Sequence, residues 1–179
     1  LEKPIATSVD DILRVQAAAE RLGRKVLVCH VLRYTSFYRK AHEIVASGLL
    51  GEIVSINATE GVGNFHQSHS YVRGHWSVAE RATLMIIAKC CHDLDILLWL
   101  MGDRCWSVSS FGGLHYFTSA NAPEGAPGRC TDGCPHAKDC PYDAHLYLAK
   151  YRGSWLGYVY DKAATASDGE VLRWLSHSP

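Results

Sequence analysis

The stretch Glu52-Ile53-Val54-Ser55-Ile56-Asn57-Ala58-Thr59-Glu60 decides how this chain is expected to fold. Val54, Ile56 and Ala58 fall on one side of an extended chain, and Ser55, Asn57 and Thr59 on the other. Alternation with a period of two suits a strand with one covered face, because successive side chains of a pleated strand point to opposite faces. Upstream, Ser8 reads as an N-cap, with Asp11 at the N3 position. Ile12, Val15, Ala19 and Leu22 then follow helical spacing, and Gly23 supplies the stop. Lys25–Val28 is a short apolar run of buried-strand type. A helix followed by a buried strand is the tail of a parallel α/β unit. A second helix is expected over Phe37–Ala46, stopping at Gly48.

Downstream, residues 61–76 are rich in Gly, Asn, His and Ser and read as a long loop, of the kind that is often functional. Gly61 and Gly63 supply only a fragment of a glycine-rich dinucleotide pattern. Residues 84–101 form the strongest helix candidate, ended by Gly102. Trp106–Phe117 and Ser154–Tyr160 read as strands. Residues 119–141, rich in Pro, Gly and Cys, read as irregular.

Composition narrows the function classes. With 18 basic and 18 acidic side chains in 179 residues, no basic field favours nucleic acid. The longest apolar runs, Met85–Ala88 and Ile96–Met101, are split by Lys89, His92, Asp93 and Asp95. They fall short of the ~20 residues that cross a bilayer, so no membrane partner is expected. No secretory signal is visible, and Leu1 is not an initiator Met, so the natural start is expected elsewhere. Of seven cysteines, Cys29, Cys90, Cys91 and Cys105 sit in apolar stretches, which suggests a reducing, cytoplasmic compartment.

The helix over 84–101 carries four ionisable groups in its middle. Lys89, His92 and Asp93 share a side by i,i+3 and i,i+4 spacing, and His92 and Asp95 are i,i+3 neighbours. A His among carboxylates and a Lys suits general acid–base work near neutral pH. The same spacing also suits an ion-paired face that only fixes packing. Near the start, Glu2-Lys3-Pro4 opens a helix, and taken alone it is a charged turn. Arg33, Tyr34, His69, Arg73 and Trp76 are candidates for substrate contact: Arg can fork onto a carboxylate or a hydroxyl pair, and Trp offers a flat face to a sugar ring. Each also reads as an exposed loop residue, and for His66 and His69 that is the better reading.

Taken in order, these pieces resemble the Gfo/Idh/MocA oxidoreductases. They are Glu2-Lys3-Pro4, His30-Val31-Leu32-Arg33-Tyr34, Gly48-Leu49-Leu50-Gly51-Glu52-Ile53, and His92-Asp93-Leu94-Asp95 with Trp99-Leu100 and Gly102. The resemblance runs from residue 1 to about 117. It continues into one branch of the family through Ser109-Ser110-Phe111-Gly112, Asn121-Ala122-Pro123 and Cys140-Pro141-Tyr142. It implies an α+β fold. An open, largely antiparallel sheet would carry helices on one face, after the last helix and strand of a Rossmann domain. Residues 1–30 would be the Rossmann remnant and 31–179 a truncated substrate and oligomerisation domain.

The resemblance further implies hydride transfer between NAD or NADP and a hydroxyl or carbonyl of a sugar, polyol or sugar acid. Lys3 and His92 are the implied catalytic pair. Glu2, Lys3 and Pro4 would border the cofactor, and Arg33, Tyr34, Arg73, Trp76, Lys89 and Asp95 the substrate. Many relatives place an Asp four residues before the His, where Ala88 stands here; either Lys89 or Asp95 takes over some orienting role, or the substrate and mechanism differ, and a member that binds without catalysing stays open. A homo-oligomer formed through the sheet face is implied. With most of the dinucleotide domain missing, the chain alone is expected to bind dinucleotide poorly and to be inactive.

Cys130, Cys134, His136 and Cys140 lie within eleven residues of a Gly- and Pro-rich loop. The spacing suits a structural zinc knuckle. It also suits an iron–sulfur cluster with one further thiol, a disulfide, or reduced thiols. A non-catalytic, sheet-based binding module with a metal-stapled loop is therefore the alternative function.

Overall fold

Two hydroxyl side chains start the two longest helices of the N-terminal half, as seen in a computed structural model that describes residues 1–78, 80 and 82–177. In chain order the α-helices are α1 Val9–Arg21, α2 Ser36–Ala46, α3 Asn64–His66, α4 Met85–Ala88, α5 Cys91–Met101 and α6 Asp168–Leu175. Ser8 Oγ accepts the Asp11 N–H at 3.2 Å before α1, and Thr35 Oγ1 accepts the Tyr38 N–H at 3.4 Å before α2. Each side chain satisfies an orphan donor of the first turn. Gly102, at φ +68°, ends α5 in the left-handed conformation that costs glycine least.

Among the described residues there is no β-strand. The expected open, largely antiparallel sheet is therefore corrected. Residues 25–28, 52–60 and 106–117 run without helix or ladder, and 154–160 is turn and 3₁₀-helix. Alternation records which side of a segment prefers cover, but a strand is completed only by a neighbour's N–H and C=O groups. No described segment supplies that ladder. Val54 is 88% exposed and Phe111 96% exposed. In 154–160 the buried residues are Leu156 and Val159, three apart, which suits turns rather than pleats. No helix among the described residues is long and apolar enough to cross a membrane.

The chain divides into two compact units that do not follow chain order. The first comprises Leu1–Gly61 and Thr83–Ser109, and the second Val62–Ala82 and Ser110–Pro179. In the first unit α2 packs on α5 and on the 3₁₀ turn Val31–Tyr34. The His42 ring stacks on Trp99 with centroids 4.1 Å apart and planes 6° from parallel. Ile96 is buried. The expected single helix over 84–101 is broken at Lys89 and Cys90, between α4 and α5.

The second unit has an aromatic core. Tyr147, Tyr151, Leu156, Val159, Val171 and Leu175 are buried together, with Phe65, Trp155 and Trp174 packed against them. A capping box starts α6: Ser167 Oγ accepts the Glu170 N–H while the Glu170 carboxylate accepts the Ser167 N–H. That places Val171 and Leu175, one turn apart, on the buried face. α3 runs into a π-helix, Gln67–Val72, which carries Ser68, His69 and Ser70 into the interior.

Gly74 permits that geometry. A Cβ there would lie 2.1 Å from the His69 carbonyl oxygen and 2.9 Å from Ser70 Cα. Both obstacles are backbone, so the π-helix itself would have to move. Gly74→Ala is expected to destabilise the protein by about 2–3 kcal/mol. Denaturant melts check this, with Gly153→Ala, where a Cβ meets nothing within 4 Å, as the control. Equal midpoints for the two variants would rule the crowding out.

Candidate active site

The break between α4 and α5 creates the site. In a continuous helix the Ala88 carbonyl would accept the N–H of residue 92. Here the His92 N–H turns to Lys89 O at 3.4 Å, and Lys3 Nζ donates to Ala88 O at 2.8 Å. The ammonium of the Glu2-Lys3-Pro4 turn is thereby tied to the end of α4, just before the helix α5 that carries His92. The Lys3–Pro4 peptide is cis, Lys3 and Pro4 are half-buried, and Glu2 is exposed.

His92 sits in low-dielectric surroundings with cations nearby. Burial first, then the charges of Lys3 and His30, push its pKa below the ordinary histidine value, while Asp93 opposes them. Its Nδ1 is buried with no hydrogen-bond partner. The ring meets His30 edge-on, with centroids 6.0 Å apart. A neutral imidazole with an unused nitrogen beside an ammonium can take a proton while the ammonium stabilises negative charge.

Asp95 does not bind His92 directly. Arg33 holds it with a two-pronged pair, Nε to Oδ2 and Nη2 to Oδ1, both 2.7 Å. The Asp95 hydrogen bond raises the Arg33 pKa further. His30 Nδ1 lies 3.9 Å from Asp95 Oδ2, too far for a hydrogen bond. Arg33 also lies over the Trp99 ring, 5.4 Å from its centroid. The order around the site is thus Lys3, His92, His30, Asp95, Arg33. His30 was not among the residues expected from sequence. Its signal was its place three residues before Arg33, across a 3₁₀ turn that brings i and i+3 to one side.

Among the other expected residues, Tyr34 is 72% exposed and Lys89 is half-buried at the helix break. Arg73 and Trp76 belong to the second unit. There the Trp76 ring lies 6.0 Å from Tyr71. His69 corrects the expectation of an exposed loop residue, since it is 0% exposed. Phe65 and Trp155 flank its ring in stacked geometry, at 5.8 and 5.5 Å.

The cysteine loop does not gather its expected ligands. Among the described residues no three His, Cys, Asp or Glu side chains converge as ligands for a metal. His136 Nε2 donates to the Glu124 carbonyl at 2.8 Å, and all seven cysteines are free thiols. The Cys140 N–H bonds the His136 carbonyl and Gly133 turns at φ +82°. These local turns, rather than the sequence spacing, set where the thiols lie.

Lys3 and His92 are coupled through charge, and the coupling can be read without substrate. Removing the ammonium takes away one cause of the depressed His92 pKa. Lys3→Gln is therefore expected to raise the His92 pKa toward its ordinary value, measured by titrating the imidazole ring proton by NMR. An unmoved titration would separate the two side chains.

A family model described as GFO/IDH/MocA C-terminal domain matches residues 38–127, just over half of the chain. Over 144 residues the chain is 28% identical to YteT of Bacillus subtilis strain 168, which carries the name oxidoreductase provisionally; the match covers 79% of this chain and 33% of that protein. It is 31% identical to inositol 2-dehydrogenase 3 of Saccharopolyspora erythraea, covering 60% and 29%. It is 22% identical to 2,7-anhydro-N-acetylneuraminate hydratase of Escherichia coli K12, covering 98% and 40%. The chain thus spans between 29% and 40% of the length of these relatives. No solved structure matches it.

Proposed function

Because this chain belongs to the GFO/IDH/MocA family, we propose that it supplies the proton-transfer side of an NAD(P)-dependent oxidoreductase. The substrate would be a sugar, polyol or sugar acid, converted between hydroxyl and carbonyl. The observation that carries the reading is the buried, unpartnered Nδ1 of His92 on a ring whose pKa Lys3 helps to depress. That donor set fits the reacting end of a nicotinamide: one group takes a proton and one cation faces the oxygen. Residues 1–30 would be the end of the Rossmann domain, and Glu2, Lys3 and Pro4 would border the nicotinamide ring. When bound, that ring exchanges the hydride.

The chain's own residues would act as follows. In the oxidation direction His92 removes the hydroxyl proton from the substrate as the carbon gives up its hydride and the C=O bond forms. Lys3 donates a hydrogen bond to the same oxygen and stabilises its developing negative charge. Asp95, gripped by Arg33, keeps a carboxylate next to His30, and His30 supports the edge of the His92 ring. Asp95 would thus keep a carboxylate near the site where Ala88 offers none. Within the first unit, Lys89 and Tyr34 remain candidates for substrate contact.

The alternative, a non-catalytic sheet-based module with a metal-stapled loop, is not favoured. Neither a sheet nor a converging ligand set is present among the described residues. The expected pairing of subunits through a sheet face loses its basis for the same reason. A reducing, cytoplasmic setting is part of this proposal and rests on Cys29, Cys90, Cys91 and Cys105 lying in apolar stretches. The test is a screen of the full-length protein for substrate-dependent change in NAD(P)H absorbance across sugars, polyols and sugar acids. Substrate-dependent turnover is expected. Its absence on every class, from a protein that binds NAD(P)H, would end the reading.

A further inference from the structure

Oxidation of a hydroxyl releases a proton in every turnover, and a base that has taken it must lose it before acting again. The first unit places a second imidazole where that proton can go. The His30 ring meets His92 edge-on, with centroids 6.0 Å apart and planes 83° from parallel. The Nδ1 atoms of both rings are buried without a hydrogen-bond partner. Buried ring nitrogens are ordinarily paired, so two idle ones on neighbouring rings call for a role.

A carboxylate stands behind His30. Asp95 Oδ2 lies 3.9 Å from His30 Nδ1, and the two-pronged grip of Arg33 fixes that carboxylate. The gap is too long for a hydrogen bond, yet short enough for an opposite charge to favour a proton on the ring. Arg33 takes up part of the Asp95 charge, and His30 is the other basic group that faces it. The His30 side chain is 26% exposed, so a proton held there has a way to solvent. On His92 a cation is disfavoured by burial first, then by Lys3 and His30 and last by Lys89, with Asp93 opposing them. Neighbouring charge thus pushes a proton off one ring, while a carboxylate faces the other.

We propose that His30 is the proton exit of this site: it receives from His92, through one bridging water, the proton taken from the substrate hydroxyl, and passes it to solvent. The proposal rests on the hydride-transfer reading. In the oxidation direction the substrate O–H bond breaks toward His92, and the hydride goes to the nicotinamide. His92 then returns to the neutral imidazole as His30 becomes the cation, and His30 releases the proton to water or buffer. His30 never touches the substrate in this role, so its loss slows turnover without weakening binding.

The experiment uses the full-length protein with glucose, myo-inositol and glucuronate as substrates and NAD or NADP as oxidant. His30→Gln and His30→Ala are each checked for a cooperative melt. Both are expected to lower kcat by about tenfold or more, with KM held within about twofold. Imidazole added to the buffer is expected to restore turnover of the variants in proportion to its concentration, and to leave wild type unchanged. A side chain that only braced His92 would give no such buffer dependence. Variants that turn over as fast as wild type, or losses that imidazole does not restore, would overturn the proton exit and leave the hydride-transfer reading standing. Wild-type protein that turns over none of the three substrates would overturn both.

Discussion

Substituting His92 by alanine in the full-length protein is expected to reduce kcat for NAD(P)-linked turnover by roughly 10²–10⁴-fold, the usual loss when a positioned general base is removed. That is about 3–5 kcal/mol of transition-state stabilisation. KM should change much less, because the proton moves only as the bond to hydride breaks. The pH profile carries a second signature. Burial and the charges of Lys3 and His30 depress the His92 pKa, so the base stays deprotonated to lower pH than an ordinary histidine. The acid limb of the oxidation profile should therefore lie below the usual histidine range, and Lys3→Gln should move it upward. Steady-state kinetics across pH for wild type and both variants reads all three effects. Turnover of His92→Ala within a few-fold of wild type would remove this residue from the chemistry.

Acid should weaken the second unit well before its carboxylates titrate. His69 is enclosed by aromatic rings, and burial first, then the Arg73 charge, lower its pKa from 6.5 to about 4. The unfolded chain takes up this proton near 6.5 and the folded chain only near 4. The unfolded state thus binds more protons across that window, and stability falls as the pH falls through it. The contribution is fully present above pH 6.5 and is lost progressively down to about pH 4, by about 3 kcal/mol in total. Denaturant melts at a series of pH values should show this slope. His69→Phe keeps an aromatic ring in the same place and should flatten it. An NMR titration of the His69 ring gives the same answer should the variant fold poorly. A flat wild-type profile between pH 7 and 4, or a His69 that titrates near 6.5, would contradict the buried neutral ring.

Local signals were legible in the sequence, and long-range pairings were not. The Ser8 cap, the Gly102 stop and the helix Ser36–Ala46 follow from side chains acting on their own neighbours. The His92 region was found because charges inside an apolar run need an explanation, and Lys3 through its motif. What brings them together, Lys3 Nζ on Ala88 O, joins residues 85 apart and depends on a helix break that apolar periodicity does not encode. Alternation in 52–60 was read as a strand, although no described segment pairs with it. His69 was misread because a segment rich in Gly, Asn, Ser and His usually lies in solvent. Tyr147 and Trp155, which enclose it, lie more than seventy residues away.

The order in which the two units use the chain has a practical consequence. The polypeptide changes unit after Gly61, after Ala82 and after Ser109. A gene cut after Ser109 would leave the downstream piece without His69, Arg73 and Gly74, and so without the ring at the centre of its own core. A protease nick at any one of the three junctions would leave the units joined by chain at another. On the ribosome, neither unit has all its residues until synthesis is past Ser109, so the first must wait with its opening segment unpartnered while part of the second is made. Separating the units of this protein therefore calls for three coordinated cuts, one at each junction.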